Sequence, residues 1–192
     1  MSNRFNQWIV AIAALFVSFG AQAQLEEADP SPFNLGVALG QVGLAGDPGS
    51  KGANALGYSF ILGYELESGV MIDARLLTSR HADTTHTEIT LGGEYGFDIE
   101  DLALWTPYLS GGVAYITNNF NEANVSGNAA GIYVGTGVDY SPNLQFSIGP
   151  EFRYVKGFEA KAQPQGTASE IKTVQDSYTF MIRILYALSL DE

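Results

Sequence analysis

Apolar and polar residues alternate with a period of two along most of the chain after residue 32. In Leu144–Tyr154 nearly every second residue is aromatic or aliphatic, and the residues between them are small or polar. Tyr178–Leu188 repeats the pattern. Successive side chains of a β-strand point to opposite faces, whereas a helix would mix the two sets. The alternation therefore predicts a protein built of strands.

The same periodicity predicts eight strands. They are Phe33–Val42, Leu56–Glu65, Val70–Ser79, Glu88–Phe97, Pro107–Ile116, Gly131–Tyr140, Leu144–Tyr154 and Tyr178–Leu188. Strands of about 10 residues cross a bilayer when tilted by about 45°, whereas strands of globular proteins are usually about 5–6 residues long. The expected fold is all-β, an eight-stranded antiparallel up-and-down transmembrane β-barrel.

The connections between the predicted strands alternate in length. Three are short, at Glu67–Gly69, Asp98–Thr106 and Ser141–Asn143. Four are longer on average and polar, at Gly43–Ala55, Arg80–Thr87, Thr117–Ala130 and Val155–Ser177. Bacterial outer-membrane barrels have short periplasmic turns and longer extracellular loops. We therefore expect both ends of the barrel domain to lie on the periplasmic side.

The first 23 residues have the pattern of a secretory signal peptide. Arg4 precedes the apolar stretch Trp8–Gly20, and the small-x-small sequence Ala21-Gln22-Ala23 follows. The apolar stretch is shorter than the roughly 20 residues that a membrane-spanning helix needs, so we predict cleavage after Ala23. Residues 24–32 are then a periplasmic lead-in, residues 33–192 form the barrel domain, and the exported protein is expected in the bacterial outer membrane.

Composition narrows the possible functions. The chain has no cysteine, which excludes disulfides, thiolate metal sites and a lipidated cysteine. Its net charge of −12 argues against nucleic acid as a partner, because binding to phosphates needs clustered Lys and Arg. The 22 glycines are better suited to closely packed strands than to helices.

Aromatic residues indicate which face of the predicted barrel contacts lipid. They cluster near both ends of the strands, and amphipathic rings favour the membrane interface. The predicted periplasmic girdle consists of Phe33, Tyr64, Tyr95, Phe97, Trp105, Tyr140 and Tyr186. The predicted extracellular girdle consists of Tyr58, Tyr115, Tyr154 and Tyr178. We therefore expect the apolar face to point outward.

The opposite face carries glycines and charges of both signs. The charged residues expected in the lumen are Glu65, Asp73, Arg75, Glu88, Glu94, Asp139, Glu151, Arg153 and Arg183. An eight-stranded barrel is just wide enough to be filled by side chains. Because unpaired buried charge is very costly, each of the three arginines is expected to pair with inward carboxylates.

Few residues suggest catalysis or metal binding. His81 and His86 flank Asp83, and Ser79 is close to His81, but we interpret the histidines as solvated residues of a polar loop. Glu88 and Glu94 lie about 20 Å apart along one strand, too far for paired-carboxylate hydrolysis. The sequence therefore predicts no catalytic residues, no metal site and no cofactor.

Two segments resemble a known family. Thr106–Tyr115 reads TPYLSGGVAY, and Gly135–Leu144, GTGVDYSPNL, is followed by the Glu151–Tyr154 sequence EFRY. Both are similar to motifs of the small outer-membrane β-barrel family that includes the transmembrane domain of outer membrane protein A. The resemblance implies an eight-stranded barrel with a salt-bridged lumen, inserted by the outer-membrane assembly machinery.

The chain departs from this family at its last residues. Family members commonly end on an aromatic residue that assists assembly, whereas this chain ends with Ser189-Leu190-Asp191-Glu192. Tyr186 or Leu188 would then have to take that role.

Three functions remain open at this stage. The first is a structural or surface-interaction barrel without catalysis, with lipid, lipopolysaccharide and an extracellular ligand of the long loops as its partners. The second is a narrow porin-like channel, because six predicted lumen acids exceed three bases. The third is a lipid A-modifying enzyme.

Overall fold

The computed structural model describes residues 32–45, 54–82, 84–97, 99, 104–120, 125–158, 160–162, 171–173 and 176–188. The predicted signal peptide, and the lead-in except for Pro32, lie outside these residues. The described strands are β1 (Phe33–Ala45), β2 (Asn54–Glu65), β3 (Val70–Arg80), β4 (Thr84–Gly96), β5 (Trp105–Phe120), β6 (Val125–Asn143), β7 (Phe146–Gly157), β8 (Ala160–Ala162), β9 (Ile171–Thr173) and β10 (Asp176–Ala187). Within the described residues, no helix is long and apolar enough to span a bilayer.

Eight strands close one barrel in the order β1-β10-β7-β6-β5-β4-β3-β2, and every neighbouring pair is antiparallel. The first and last strands pair from Asn34↔Ala187 to Ala45↔Asp176. Closure matters because lipid offers no partners to the backbone amides and carbonyls of an open sheet edge. The predicted fold class is confirmed. β8 and β9 form a separate two-stranded ladder.

The two ends of the barrel differ in their connections. Residues 66–69 and 144–145 make short turns at one end, here named the turn end. The connections β1–β2, β3–β4, β5–β6 and β7–β10 lie at the opposite end, here named the loop end. The turn after β2 places Gly69 at a φ of 77°, a conformation that glycine adopts without steric cost.

Several strands extend further toward the loop end than predicted. β5 and β6 pair as far as Phe120↔Val125, within the predicted loop Thr117–Ala130. β4 begins at Thr84 rather than at Glu88. Hydrophobic alternation marks only the part of a strand that contacts lipid. A ladder continues through polar residues where the neighbouring strand supplies hydrogen-bond partners.

The turn between β6 and β7 also differs from the prediction. β6 continues through the predicted connection to Asn143, and Leu144 lies in the turn rather than in a strand. The register shifts between Tyr140 and Asn143. The Asn143 side-chain oxygen accepts hydrogen bonds from the backbone N–H groups of Gln145 and Phe146, at 3.0 and 2.8 Å. The Asn143 side chain therefore caps the turn, whereas the sequence predicts only a short connection at Ser141–Asn143.

Apolar side chains cover the outside of the barrel. Val134, Phe60 and Leu109 are 60%, 58% and 55% exposed, which is unusual for large apolar residues of a water-soluble protein. In β3, outward residues alternate with the buried Met71, Asp73, Arg75, Leu77 and Ser79. The strands therefore present an apolar surface outside and enclose a mixed interior, as expected for a barrel in lipid.

A glycine lies outward at the seam where the barrel closes. The Tyr178 ring of β10 covers Gly43 of β1, at the place where a Cβ atom would otherwise stand. The Tyr178 hydroxyl donates to Asn54 Oδ1 of β2 at 2.9 Å. One side chain therefore spans three strands across the closure.

Candidate functional site

Arg183 is the most extensively paired charge in the lumen. Nη1 and Nη2 each donate to one Glu94 oxygen at 2.6 Å, and Nε donates to Asp139 Oδ1 at 2.9 Å. Nη2 also donates to Asp139 Oδ2. The Arg183 side chain is fully buried. Two carboxylates from β4 and β6 thus hold one guanidinium of β10 near the turn end.

Arg75 connects two further carboxylates. It donates to Glu151 of β7, and its Nε lies 3.6 Å from Asp73 Oδ2 on its own strand. Glu151 Oε2 also accepts from the Tyr108 hydroxyl at 3.1 Å, and Asp73 Oδ1 accepts from the Tyr133 hydroxyl at 3.0 Å. These residues lie 4% or less exposed. They cross the middle of the lumen from wall to wall.

Two arginines stack on the two buried tyrosines. The Arg183 guanidinium lies 3.7 Å from the ring centroid of Tyr108, and that of Arg153 lies 3.9 Å from the centroid of Tyr133. Such cation–π contacts stabilise by roughly 2 kcal/mol when desolvated. Arg153 Nη2 also donates to Thr90 Oγ1 at 3.2 Å. We name the connected set of Asp73, Arg75, Glu94, Tyr108, Tyr133, Asp139, Glu151, Arg153 and Arg183 the lumen network.

Missing side chains make room for the tyrosines. A Cβ atom at Gly137 would overlap the Tyr108 hydroxyl, and one at Gly92 would overlap the Tyr133 hydroxyl. Glycine at these positions lets each ring cross the lumen to its carboxylate.

A second polar cluster lies nearer the loop end. His86 Nδ1 lies 2.7 Å from Asn118 Oδ1, and His86 Nε2 lies 3.6 Å from Glu88 Oε2. The Ser177 hydroxyl donates to Glu88 Oε2 at 3.0 Å. All four side chains are 5% exposed or less. We name these four residues the loop-end cluster.

Buried apolar residues form two groups in other parts of the interior. One group lies on β1, β2, β3 and β10 and consists of Ala38, Val42, Ile61, Met71, Leu77, Met181 and Leu185. Another lies on β5, β6 and β7 and consists of Ala114, Ile116, Ala129, Tyr133 and Val155. Charged and apolar side chains thus share the described interior.

The structure buries eight of the nine predicted lumen charges. Glu65 differs, because it lies exposed at the end of β2 and takes no part in the lumen network. The alternation along β2 assigns Glu65 to the inward face, but the strand ends at this residue and its side chain reaches solvent. Arg153 also departs from expectation, since no described carboxylate lies within 4.0 Å and its contacts are with Thr90 and the Tyr133 ring.

Sequence reasoning missed Tyr108 and the loop-end cluster. Tyr108 belongs to the inward series of β5 with Ser110, Gly112, Ala114 and Ile116, but these small residues blur the alternation. The prediction that His81 and His86 are solvated is wrong, because they are 7% and 1% exposed. Extension of β4 to Thr84 places His86 on the inward face.

The predicted girdle residues all lie on the outer face of the barrel, exposed or partly exposed. At the turn end, Phe33 packs against Tyr64, Tyr95 against Phe97, and Trp105 against Tyr140, with ring centroids 4.9 to 5.1 Å apart. At the loop end, Tyr154 donates to Asp176 at 3.0 Å, and Asp176 also accepts from Lys156 at 2.8 Å.

The site offers little for catalysis or for a metal. Ser79 Oγ lies 3.1 Å from His81 Nε2, but both side chains are enclosed in the lumen, away from lipid. Within the described residues, no group of three or more His, Asp or Glu side chains is arranged to hold a metal ion. Asp83, which the sequence places between the histidines, lies outside the described residues. What the lumen network can do is hold strands together and occupy the lumen.

Solved structures share this architecture. Neisserial surface protein A aligns with a TM-score of 0.67 and 14% identity, over 83% of this chain and 99% of that chain. OprG from Pseudomonas aeruginosa aligns with a TM-score of 0.52 and 15% identity, over 85% and 99%. Ail, the attachment invasion locus protein of Yersinia pestis, aligns with a TM-score of 0.51 and 11% identity, over 81% and 99%. At these identities the likeness shows the fold alone.

No curated protein sequence matches the chain. The family model of the outer membrane protein beta-barrel domain matches residues 11–188, which is most of the sequence. With its closed eight-stranded barrel, the chain belongs to the outer membrane protein beta-barrel family.

Proposed function

We propose that the protein is a non-conducting barrel of the bacterial outer membrane with a structural and surface-interaction role and no catalysis. The observation that carries this proposal is the lumen network, which joins β3, β4, β5, β6, β7 and β10 across the interior. Eight strands leave an interior that side chains can fill. Here Arg183, Tyr108, Tyr133 and Glu151 do so with less than 2% exposure.

Energetics favour a lumen that stays closed. A water-filled path past Arg183 would require its four hydrogen bonds to Glu94 and Asp139 to break. Removing one partner from a buried ion pair costs about 3–5 kcal/mol because a charge is left uncompensated. Thermal opening at that cost is rare. The network therefore supports a plug rather than a selectivity filter.

Planar-bilayer recording tests the closed lumen. The protein without residues 1–23, reconstituted at pH 6, is expected to give no steady currents. Steady cation-selective currents that change on Glu151→Gln would overturn the proposal in favour of a channel. Arg183→Met is expected to produce currents that the wild type lacks. Arg80→Met is the matched control, because Arg80 lies exposed on the outer face of β3.

Charge distribution supports a surface role for the loop end. After residue 23, every lysine and arginine outside the lumen lies at the loop end or in a sequence segment connecting strands there. These residues are Lys51, Arg80, Lys156, Lys161 and Lys172. The same segments also contain six acids, which are Asp47, Asp83, Glu122, Glu159, Glu170 and Asp176, so the cations are interspersed with carboxylates. The connection lengths favour an extracellular loop end, which brings this mixed-charge surface next to lipopolysaccharide.

Ail of Yersinia pestis was solved in complex with the heparin analogue sucrose octasulfate. For this chain we infer an anionic saccharide, either the lipopolysaccharide head group or an external polysaccharide, as the ligand of the loop end. Lys156 is half exposed there despite its contact with Asp176. Sucrose octasulfate is expected to bind in titration calorimetry, more weakly at higher salt. Binding that Arg80→Gln and Lys156→Gln together leave unchanged would contradict this assignment.

The absence of catalysis is tested separately. Ser79 and His81 are enclosed in the lumen, so the bilayer offers a lipid substrate no direct approach to them. Mass spectra of lipid A from cells with and without the protein are expected to be identical. A mass change that Ser79→Ala abolishes would establish an enzyme instead.

A further inference from the structure

A groove crosses the outer surface of the barrel at the seam, where β1 pairs with both β2 and β10. Its volume of about 460 Å³ lies within the range of about 300–1,000 Å³ that is usual for small-molecule sites. Gly40, which has no side chain, and the inward-facing Met181 lie at its floor. Its walls are the outward side chains Leu39, Gln41, Asn54, Leu56, Phe180 and Ile182. The groove is therefore a mostly apolar depression in the surface that contacts lipid.

Two amide side chains lie among these apolar walls. Gln41 is exposed and lies in register between Leu56 of β2 and Phe180 of β10. Within the part of the chain that the structure describes, its amide makes no hydrogen bond. Asn54 Oδ1 accepts from the Tyr178 hydroxyl, which leaves the Asn54 NH₂ group as a donor. The groove thus offers the NH₂ groups of both amides and the carbonyl oxygen of Gln41.

Two threonines on the outer surface show how the barrel itself satisfies outward polar groups. Thr78 Oγ1 donates to the His86 carbonyl at 3.2 Å, and Thr136 Oγ1 donates to the Tyr108 carbonyl at 2.9 Å. A polar group without a hydrogen-bond partner in apolar surroundings is costly. Gln41 therefore requires a partner from the molecule that covers the groove.

Register places the two amides at the loop-end side of the groove. Asn54 lies in the row nearest the loop end, Gln41 in the next row, and Leu39 with Ile182 in the row after that. Tyr178, a residue of the predicted extracellular girdle, shares the row of Asn54. Aromatic girdles mark the level of the membrane interface. The groove thus has a polar end at the interface and an apolar end nearer the middle of the membrane, which is the polarity of a lipid.

We propose that this groove binds one acyl chain of lipid A, with Gln41 hydrogen-bonded to the amide and hydroxyl groups at the head of that chain. The groove is continuous with the apolar outer surface of the barrel, so a lipid reaches it without leaving the bilayer. The inference rests on the proposed extracellular position of the loop end, which places the groove in the leaflet that contains lipopolysaccharide. It concerns the membrane-facing wall and is separate from the saccharide site proposed for the loops.

Hydrogen-bonding capacity favours lipid A over a phospholipid. The ester carbonyl groups of a phospholipid only accept hydrogen bonds, so they would leave the Gln41 carbonyl oxygen without a donor. The amide-linked 3-hydroxyacyl chains of lipid A carry N–H and O–H donors as well as a carbonyl acceptor. Such a chain can satisfy both halves of the Gln41 amide while its methylenes cover Leu56 and Phe180.

Native mass spectrometry of the protein in detergent micelles tests the site. The micelles contain equal amounts of dephosphorylated lipid A and of a phosphatidylcholine with chains of the same length. Dephosphorylated lipid A keeps the hydroxyacyl chains but lacks the anionic groups that loop-end cations would bind. The protein is expected to retain one lipid A molecule in about tenfold preference to the phospholipid, which is the effect of roughly one hydrogen bond. Equal retention of the two lipids would overturn the proposal.

Three variants locate the binding. Gln41→Leu is expected to lose the preference for lipid A, because only apolar contact with the chain remains. Leu56→Trp is expected to abolish retention, because the larger side chain fills the groove. Leu91→Trp is the matched control, since Leu91 is 55% exposed on the outer face of β4, and it is expected to retain lipid A as the wild type does. An unchanged preference in Gln41→Leu, or equal losses from the two tryptophan variants, would contradict the assignment.

The remaining outcomes separate this inference from other occupants and from the proposed function. A dimer without lipid that Leu56→Trp dissociates would assign the groove to a second copy of the chain instead. Micelles have no leaflets, so lipid retention does not depend on the orientation of the barrel. Retained lipid A together with no binding of sucrose octasulfate would refute the saccharide site and leave the groove intact. The reverse result would refute the groove alone.

Discussion

Buried carboxylates are paired differently at the two ends of the lumen. Near the turn end, Arg183 makes four hydrogen bonds to two carboxylates and stacks on Tyr108. Near the loop end, Glu88 has one neutral hydrogen bond from Ser177 and a histidine 3.6 Å away. The turn-end carboxylates are bound by one guanidinium that donates four hydrogen bonds, whereas Glu88 at the loop end accepts a single hydrogen bond, from the Ser177 hydroxyl.

This difference indicates where the barrel is expected to yield first. Charge-assisted, bidentate arginine pairs are among the strongest polar contacts in proteins. A single hydroxyl and an unbonded imidazole nitrogen are weaker. The turn-end half should therefore remain folded when the loop end opens, which places local opening next to the longer connections.

The largest expected effect comes from Arg183→Met. It leaves Glu94 and Asp139 buried without a cation, and the free energy of unfolding is expected to fall by about 3–5 kcal/mol. Urea unfolding in detergent, followed by tryptophan fluorescence, measures the change. Arg80→Met is the control and is expected to change it by less than about 0.5 kcal/mol. A loss as small as the control's would show that the turn end is not held by this residue.

Tyr108→Phe is expected to have the next largest effect. It removes the hydrogen bond to Glu151 while keeping the ring beneath Arg183, at a cost of about 1–3 kcal/mol. Tyr115→Phe, on the exposed outer face, is the matched control and is expected to be near neutral. Equal losses from the two variants would argue against a specific role for the buried hydroxyl.

Tyr178→Phe tests a contact across the seam at the loop end. The hydroxyl that bonds Asn54 across the seam is lost, while the ring over Gly43 remains. A destabilisation of about 0.5–1.5 kcal/mol is expected, together with faster amide exchange in the loop-end part of β1. Unchanged exchange in β1 would show that the seam does not depend on this contact.

Glu65→Gln is expected to have the smallest effect. Glu65 lies exposed at the turn end, so its replacement should change the free energy of unfolding by no more than about 0.5 kcal/mol. The same unfolding assay applies. A loss comparable to that of Arg183→Met would show that Glu65 takes part in the lumen network.

Alternation identified most of the inward charges because the period of two assigns each residue of a strand to one face. Asp73, Arg75 and Glu151 were predicted in this way and lie buried. The same rule cannot tell where a strand ends, so it placed Glu65 inside. It also gave no strand at His86, because Thr84–Thr87 is polar throughout.

Partners within the lumen could not be read from periodicity. Arg153 was expected beside a carboxylate and instead lies over Tyr133. Which inward side chains meet depends on the shear of the closed barrel, which brings residues far apart in sequence to the same height. Ser177 and Glu88 are 89 positions apart and share a hydrogen bond.

The residues themselves determined the number of barrel strands, the fold class and the face that most of the charges take, since those follow from local alternation and from the need to pair every backbone group in lipid. Only the closed barrel decided that Arg183 pairs with Glu94 and Asp139 and that His86 lies beside Glu88. It also decided that arginine guanidinium groups stack on the rings of Tyr108 and Tyr133. Those contacts cross the lumen, where distance is set by closure and register rather than by position along the chain.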